Sequence, residues 1–176
     1  TQGYSSAASD VFKRQAIAFG SEPALREYMQ EKPVPRRENI VTGKMLQQVG
    51  VCSLYITVIC LGILFLPAVH QLFGDVDITY TKSAVFATFM MAIAFNGFNA
   101  RTESVNVLKY IGMNKTFLLI TLIILAGQWL FVELGGEVLS VEPLTLETWL
   151  ICGLLALGVI PVDMLRKIIA NQLDRK

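Results

Sequence analysis

FATFMMAIAFNGFNAR, residues Phe86 to Arg101, is an apolar run that carries two asparagines near one end and stops at an arginine. Asn96 and Asn99 lie three residues apart, so on a helix they share a face. An amide inside an apolar helix is costly unless a neighbouring helix satisfies it. The stretch therefore demands helical neighbours, and the chain supplies three more long apolar segments.

The first segment runs from Met45 to Phe73, with no Asp, Glu, Lys or Arg between Lys44 and Asp75. The second runs from Ser83 to Ala100, the third from Thr116 to Val132, and the fourth from Thr148 to Val162, with helix expected through Asn171. A spanning helix takes roughly 20 apolar residues, and the first three segments meet that. The fourth has a shorter uncharged run, extended if Asp163, Arg166 and Lys167 sit at the membrane interface. A soluble helical bundle fits less well, because each segment is apolar on all sides and lacks a charged face. Composition agrees: 53% hydrophobic and 16% charged residues is too apolar for an ordinary soluble domain. The expected fold is all-α, a four-helix transmembrane bundle over residues 45–171, with a short tail at 172–176.

Charge orients the bundle. Arg26, Lys32, Arg36, Arg37 and Lys44 precede the first span; Arg101, Lys109 and Lys115 lie between the second and third; Arg166, Lys167, Arg175 and Lys176 follow the fourth. The other side holds Asp75, Asp77, Glu133, Glu137, Glu142 and Glu147, with Lys82 at a span border. Short loops rich in Lys and Arg stay cytoplasmic, so both termini are expected there. The net charge of +1 gives no reason to expect a nucleic-acid partner; the lipid bilayer is the expected one.

Ahead of the spans, residues 1–15 are polar and small, a loop or a weak helix, and residues 16–25 are broken by Gly20 and Pro23. Residues 26–44 hold Pro33 and Pro35, which prevent a continuous helix, and read as an extended basic loop. The start lacks a signal-peptide pattern. Beginning at Thr1 without methionine, the chain reads as a fragment or a processed product.

Few side chains signal chemistry. Asn96 and Asn99 fit an ion path or, better, interhelical hydrogen bonding. Asp163 fits a proton or ion group or, better, an interfacial ion pair with Arg166 and Lys167. Arg101 fits a positive anchor or a cytoplasmic contact. His70 reads as an interfacial residue, and Cys52 and Cys60, eight apart, as packing on one helix side. The odd cysteine count, with Cys152, argues against a disulfide framework. Gln128 and Trp129 suggest an interface belt. No glycine-rich phosphate loop is present.

FNGFNAR at Phe95–Arg101 resembles the end of the eighth transmembrane helix of P-type calcium-transporting ATPases, the plasma-membrane type above all. Gly135-Gly136, Pro143-Leu144, Leu146 and Trp149 are similar to the loop between that family's ninth and tenth helices. Glu22-Pro23, Glu31-Lys32-Pro33 and Pro35-Arg36 resemble the loop between the sixth and seventh. The resemblance covers residues 16–171 and implies helices seven to ten, the cation-transporting ATPase C-terminal region.

What it implies is a scaffold that braces the ion-carrying helices of a pump and does not itself hydrolyse ATP. The implied partners are the remaining transmembrane and cytoplasmic domains of a parent ATPase, with ATP and magnesium as the parent's cofactors and no cofactor in this chain. The resemblance makes the Arg26–Lys44 loop, with Arg36 and Arg37, a contact for the catalytic domain; a solvated loop near anionic lipid weighs equally. Two departures stand out. The sixth-helix ligand positions fall on Ala8 and Phe12, neither of which offers the oxygen that a hard cation takes, so that helix is degenerate or absent in residues 1–44. The eighth-helix glutamate of the sarcoplasmic-reticulum type falls on Ile93, as expected of the plasma-membrane type. The alternative is a non-enzymatic four-span protein that binds or regulates another membrane protein.

Overall fold

The computed structural model describes residues 42–73, 77–102, 104–107 and 111–173. The first helix, α1 (Gly43–Phe65), starts where Thr42 Oγ1 accepts from the Met45 N–H at 3.3 Å. It stops at Leu66, whose extended backbone is what a following proline imposes. A short helix, α2 (Pro67–Phe73), follows. Then come α3 (Ile78–Ala100), a 3-10 turn at Ile111–Met113 and α4 (Lys115–Leu139). Asn114 caps α4, its Oδ1 accepting from the Phe117 N–H at 2.9 Å. The last span is two helices, α5 (Leu146–Leu157) and α6 (Val159–Leu173), joined at Gly158.

Among the described residues, four helical stretches are long and apolar enough to cross a membrane: Gly43–Phe65, Ile78–Ala100, Lys115–Gly136 and Leu146–Leu173. The fold is thus the all-α, four-span architecture of an integral membrane protein. Its borders differ from those expected. The first segment breaks at Pro67, and the second begins five residues early, taking in Lys82, because the polar turn at Ile78–Lys82 buries Tyr80 and Thr81 against the bundle. The third continues to Gly136, whose φ of 41° and ψ of −133° suit glycine alone. The chain doubles back there: a Cβ on Gly135 would come within 2.6 Å of Leu139 Cδ1.

The second span is the hub. In its most apolar window 44% of the residues are buried, against 17%, 22% and 28% in the first, third and fourth. Its buried face is built from Ala84, Ala87, Ala92, Ala94 and Gly97. Small residues let helix backbones approach in a bilayer, where association rests on packing and hydrogen bonds. The fourth span uses the closeness. It runs parallel to α3 at a constant offset of 68 residues, marked by Tyr80 with Thr148, Ala84 O with Cys152 Sγ, and Asn99 O with Lys167 Nζ. α1 packs against α3 and α6, while α3 is the principal helix partner of α4.

The bend between α5 and α6 has a local cause. Pro161 has no N–H to offer the Leu157 carbonyl and its ring crowds that turn. The Gly158 N–H is shared between Leu154 O and Leu155 O, and Tyr55 on α1 donates to Leu155 O at 2.7 Å. The Tyr55 hydroxyl lies where a Cβ on residue 158 would stand, so glycine is required by contact.

Candidate functional site

The polar seam lies where α3 ends. Asn99 is 1% exposed, and its Nδ2 donates to Val159 O at 3.0 Å and to Asn96 Oδ1 at 3.2 Å. Val159 opens α6, so the amide reaches a carbonyl at the bend of the fourth span. Asn96 is only partly buried and acts through Asn99.

Asp163 sits one turn further along α6, fully buried. Its Oδ1 pairs with Arg166 Nε at 2.6 Å and its Oδ2 with Lys167 Nζ at 2.9 Å. These are the i,i+3 and i,i+4 neighbours on one helix face. The ion pair expected from the sequence is thus present, and it is buried between helices. Burial follows from what Lys167 does next: its Nζ donates to Asn99 O at 3.1 Å and Thr102 O at 2.7 Å. The last carbonyls of a helix lack intrahelical donors, and a cation there complements the helix dipole. Lys167 thus caps α3 from another helix, and Asp163 supplies the countercharge that lets the ammonium be buried.

Arg101 is turned inward, 9% exposed, with Nη2 donating to Val107 O at 3.2 Å; it folds the loop after α3 back on the bundle. Arg36 and Arg37 lie outside the described residues, as do Ala8, Phe12 and Asp75. The structure thus brings Asn96, Asn99 and Asp163 together, with Lys167 as the link.

At the other end most of the contacts are made by neutral groups, with the Glu133 carboxylate the exception. Tyr80 Oη lies 3.2 Å from Thr145 Oγ1 and 2.9 Å from Thr148 Oγ1, and accepts from the Thr145 N–H at 3.0 Å. Ser83 Oγ accepts from the Glu142 N–H at 2.8 Å, and Trp149 Nε1 donates to Glu133 Oε1 at 3.1 Å. Midway, Gln128 is buried and donates to Ala87 O at 2.7 Å. That corrects the interface-belt expectation for Gln128; Trp129, its neighbour, is 53% exposed. On a helix apolar all round, nothing in the sequence marks which side an amide takes.

Chemically, the seam fastens carbonyls and charges to each other. Among the described residues no group of three or more His, Cys, Asp or Glu is placed to hold a metal ion. Asn114, Tyr55 and Tyr80 escaped the sequence reading, which named Lys167 as a partner of Asp163 but not as a cap on α3; of the three, only Asn114, just ahead of an apolar run, carried a signal, as a helix N-cap.

A family model described as "Cation transporting ATPase, C-terminus" matches residues 10–169. The chain belongs to that family. It is 32% identical over 159 residues to Calcium-transporting ATPase 5, plasma membrane-type, of Oryza sativa subsp. japonica, an alignment covering 88% of this chain and 15% of that protein. It is 32% identical over 162 residues to Calcium-transporting ATPase 8, plasma membrane-type, of Arabidopsis thaliana, covering 88% and 15%. Plasma membrane calcium-transporting ATPase 3 of Homo sapiens is 28% identical over 155 residues, covering 81% and 12%. The chain spans 12–15% of the length of these relatives of the family. Both the asparagine pair and the Gly135-Gly136 turn lie inside the family match.

Proposed function

We propose that residues 45–171 are helices seven to ten of an ATP-driven calcium pump and brace its ion-carrying helices. The observation that carries this is that the seam's nitrogen donors and its one carboxylate are committed to one another, while the buried Asn99 Oδ1 stands alone without a hydrogen-bond partner. The Asn99 amide nitrogen is spent on Val159 O and Asn96, and both Asp163 oxygens on Arg166 and Lys167. Groups so engaged hold helices in register; calcium takes about six to eight oxygens, commonly from carboxylates and carbonyls. In this reading residues 1–44 form a cytoplasmic segment with a degenerate or absent sixth helix. Arg36 and Arg37 contact the catalytic domain, which handles ATP and magnesium.

The test is to isolate, from its native membrane, the polypeptide that carries these residues. A several-fold longer chain that forms a calcium-dependent acyl phosphate from ATP supports the pump. A free four-span protein bound to another membrane protein supports the regulator instead.

Orientation follows the basic loops: both termini and the Arg101–Lys115 loop are cytoplasmic. In a background free of native cysteines, an impermeant thiol reagent applied outside should label Asp75→Cys and Glu137→Cys and spare Ser104→Cys. The reverse pattern refutes the orientation. By itself the chain should show no calcium site tighter than about millimolar, the weak end of protein sites, in titration calorimetry at physiological salt. A stoichiometric micromolar site would overturn the bracing role and implicate Asn96, Asn99 and Asp163.

A further inference from the structure

Between α3 and α4 lies a cavity of about 300 Å³. Phe86 and Met90 wall it from α3, and Ile120, Ile124 and Phe131 from α4. Gly127 lines it too, and a Cβ added there would meet nothing within 4 Å. Phe86 and Phe131 are 40% and 55% exposed, so the cavity lies against the outer surface of the bundle. Its volume is at the lower bound for ligand sites, about 300–1,000 Å³.

One polar group interrupts the apolar wall. Among the described residues that line the cavity, only Gln128 has a polar side chain, and it is 3% exposed. Its Nε2 donates to Ala87 O at 2.7 Å. That bond fixes the amide's orientation, because Oε1 has no hydrogen to give a carbonyl. Oε1 is left buried with no hydrogen-bond partner, a costly state for an acceptor. Water answers it poorly, since a buried water needs about two to four polar partners and this wall offers one. A phospholipid acyl chain would fill the space and bring no donor. Headgroups do not reach so deep: at 1.5 Å per residue, Gln128 lies about 20 Å from Lys115 and about 12 Å from Gly136 along the span. An apolar body that carries one hydroxyl answers both the space and the acceptor.

We infer that the cavity binds a small apolar molecule with a single hydroxyl, an alcohol or phenol dissolved in the membrane. The hydroxyl donates to Gln128 Oε1, and the hydrocarbon body lies between Phe86, Met90 and Ile124. A hydroxyl in hydrocarbon is unfavourable until a partner meets it, so one bond relieves the ligand and the amide together. The bound molecule touches α3 and α4 at the level where the Gln128–Ala87 bond joins them. The inference does not depend on the pump reading.

Photolabelling tests it. The probes are a diazirine-bearing alkylphenol and the alkylbenzene that lacks its hydroxyl, applied to the full chain in phosphatidylcholine nanodiscs. The phenol should label α3 around Phe86 and Met90 and α4 around Ile124. It should do so at about a tenth of the alkylbenzene's concentration in the membrane, the equivalent of 1.4 kcal/mol. Gln128→Leu should make the two probes equal. Because that change also removes the bond to Ala87 O, Gly127→Leu serves as a second variant. It fills the cavity from a position with open space around its Cβ, and should abolish labelling of both helices by either probe with helix content unchanged. Equal labelling of the unaltered chain by both probes would overturn the hydrogen-bonded site. Labelling spread evenly over all four spans, or undiminished by Gly127→Leu, would mean simple partitioning into lipid and overturn the cavity as the place of binding.

Discussion

The two ends of the bundle are tied by different chemistry. At the Tyr80 end, neutral hydroxyls and an indole join α3, α4 and α5 through Thr145, Thr148, Ser83 and Glu133. At the Asn99 end, the buried Lys167 ammonium joins α6 to the end of α3, held within its own helix by a carboxylate that a guanidinium shares. Neutral bonds cost little to bury and little to lose. A buried ion group is nearly break-even while complete but strongly destabilising when one member is removed. The Asn99 end should therefore be all-or-none and the Tyr80 end graded.

Asp163→Asn should have the largest effect. It leaves Arg166 and Lys167 without a countercharge in a buried site, and should cost about 3 kcal/mol, the low end for a broken buried pair, in detergent-denaturation of the purified chain. A cost below that of Tyr80→Phe would erase the contrast between the ends. Asn99→Leu comes next. It strips the donor from Val159 O and Asn96 Oδ1 and should cost about 1 kcal/mol, within the range measured for interhelical hydrogen bonds in membranes. Stability equal to or above that of the unaltered chain would refute an interhelical role for the amide. Tyr80→Phe should cost about 0.6 kcal/mol, since Thr145 and Thr148 remain hydrogen-bonded to each other. Leu122→Ala, on a residue 64% exposed, sets the floor: in lipid or detergent its change should be the smallest of the series.

Legibility in the sequence followed the same division. The four spans were readable because length and uniform apolarity are properties of a run. Asn96 and Asn99 were readable as a pair because a helix puts residues three apart on one face. The inward turn of Gln128, the cap that Lys167 places on α3 and the burial of Asp163 were not readable. Each depends on which side of a helix faces protein, and a span apolar all round does not encode that. The bend at Gly158 was only half visible: Pro161 marks it, but Tyr55 Oη on Leu155 O comes from a helix a hundred residues away in sequence.

The constant offset between the second and fourth spans has a mechanical meaning. Tyr80, Ala84 and Asn99 meet Thr148, Cys152 and Lys167 at one register. Sliding one rod along the other by a single helical turn, about 5.4 Å, would move all three of these partners out of register at once. The pair has one detent and resists shear as a unit.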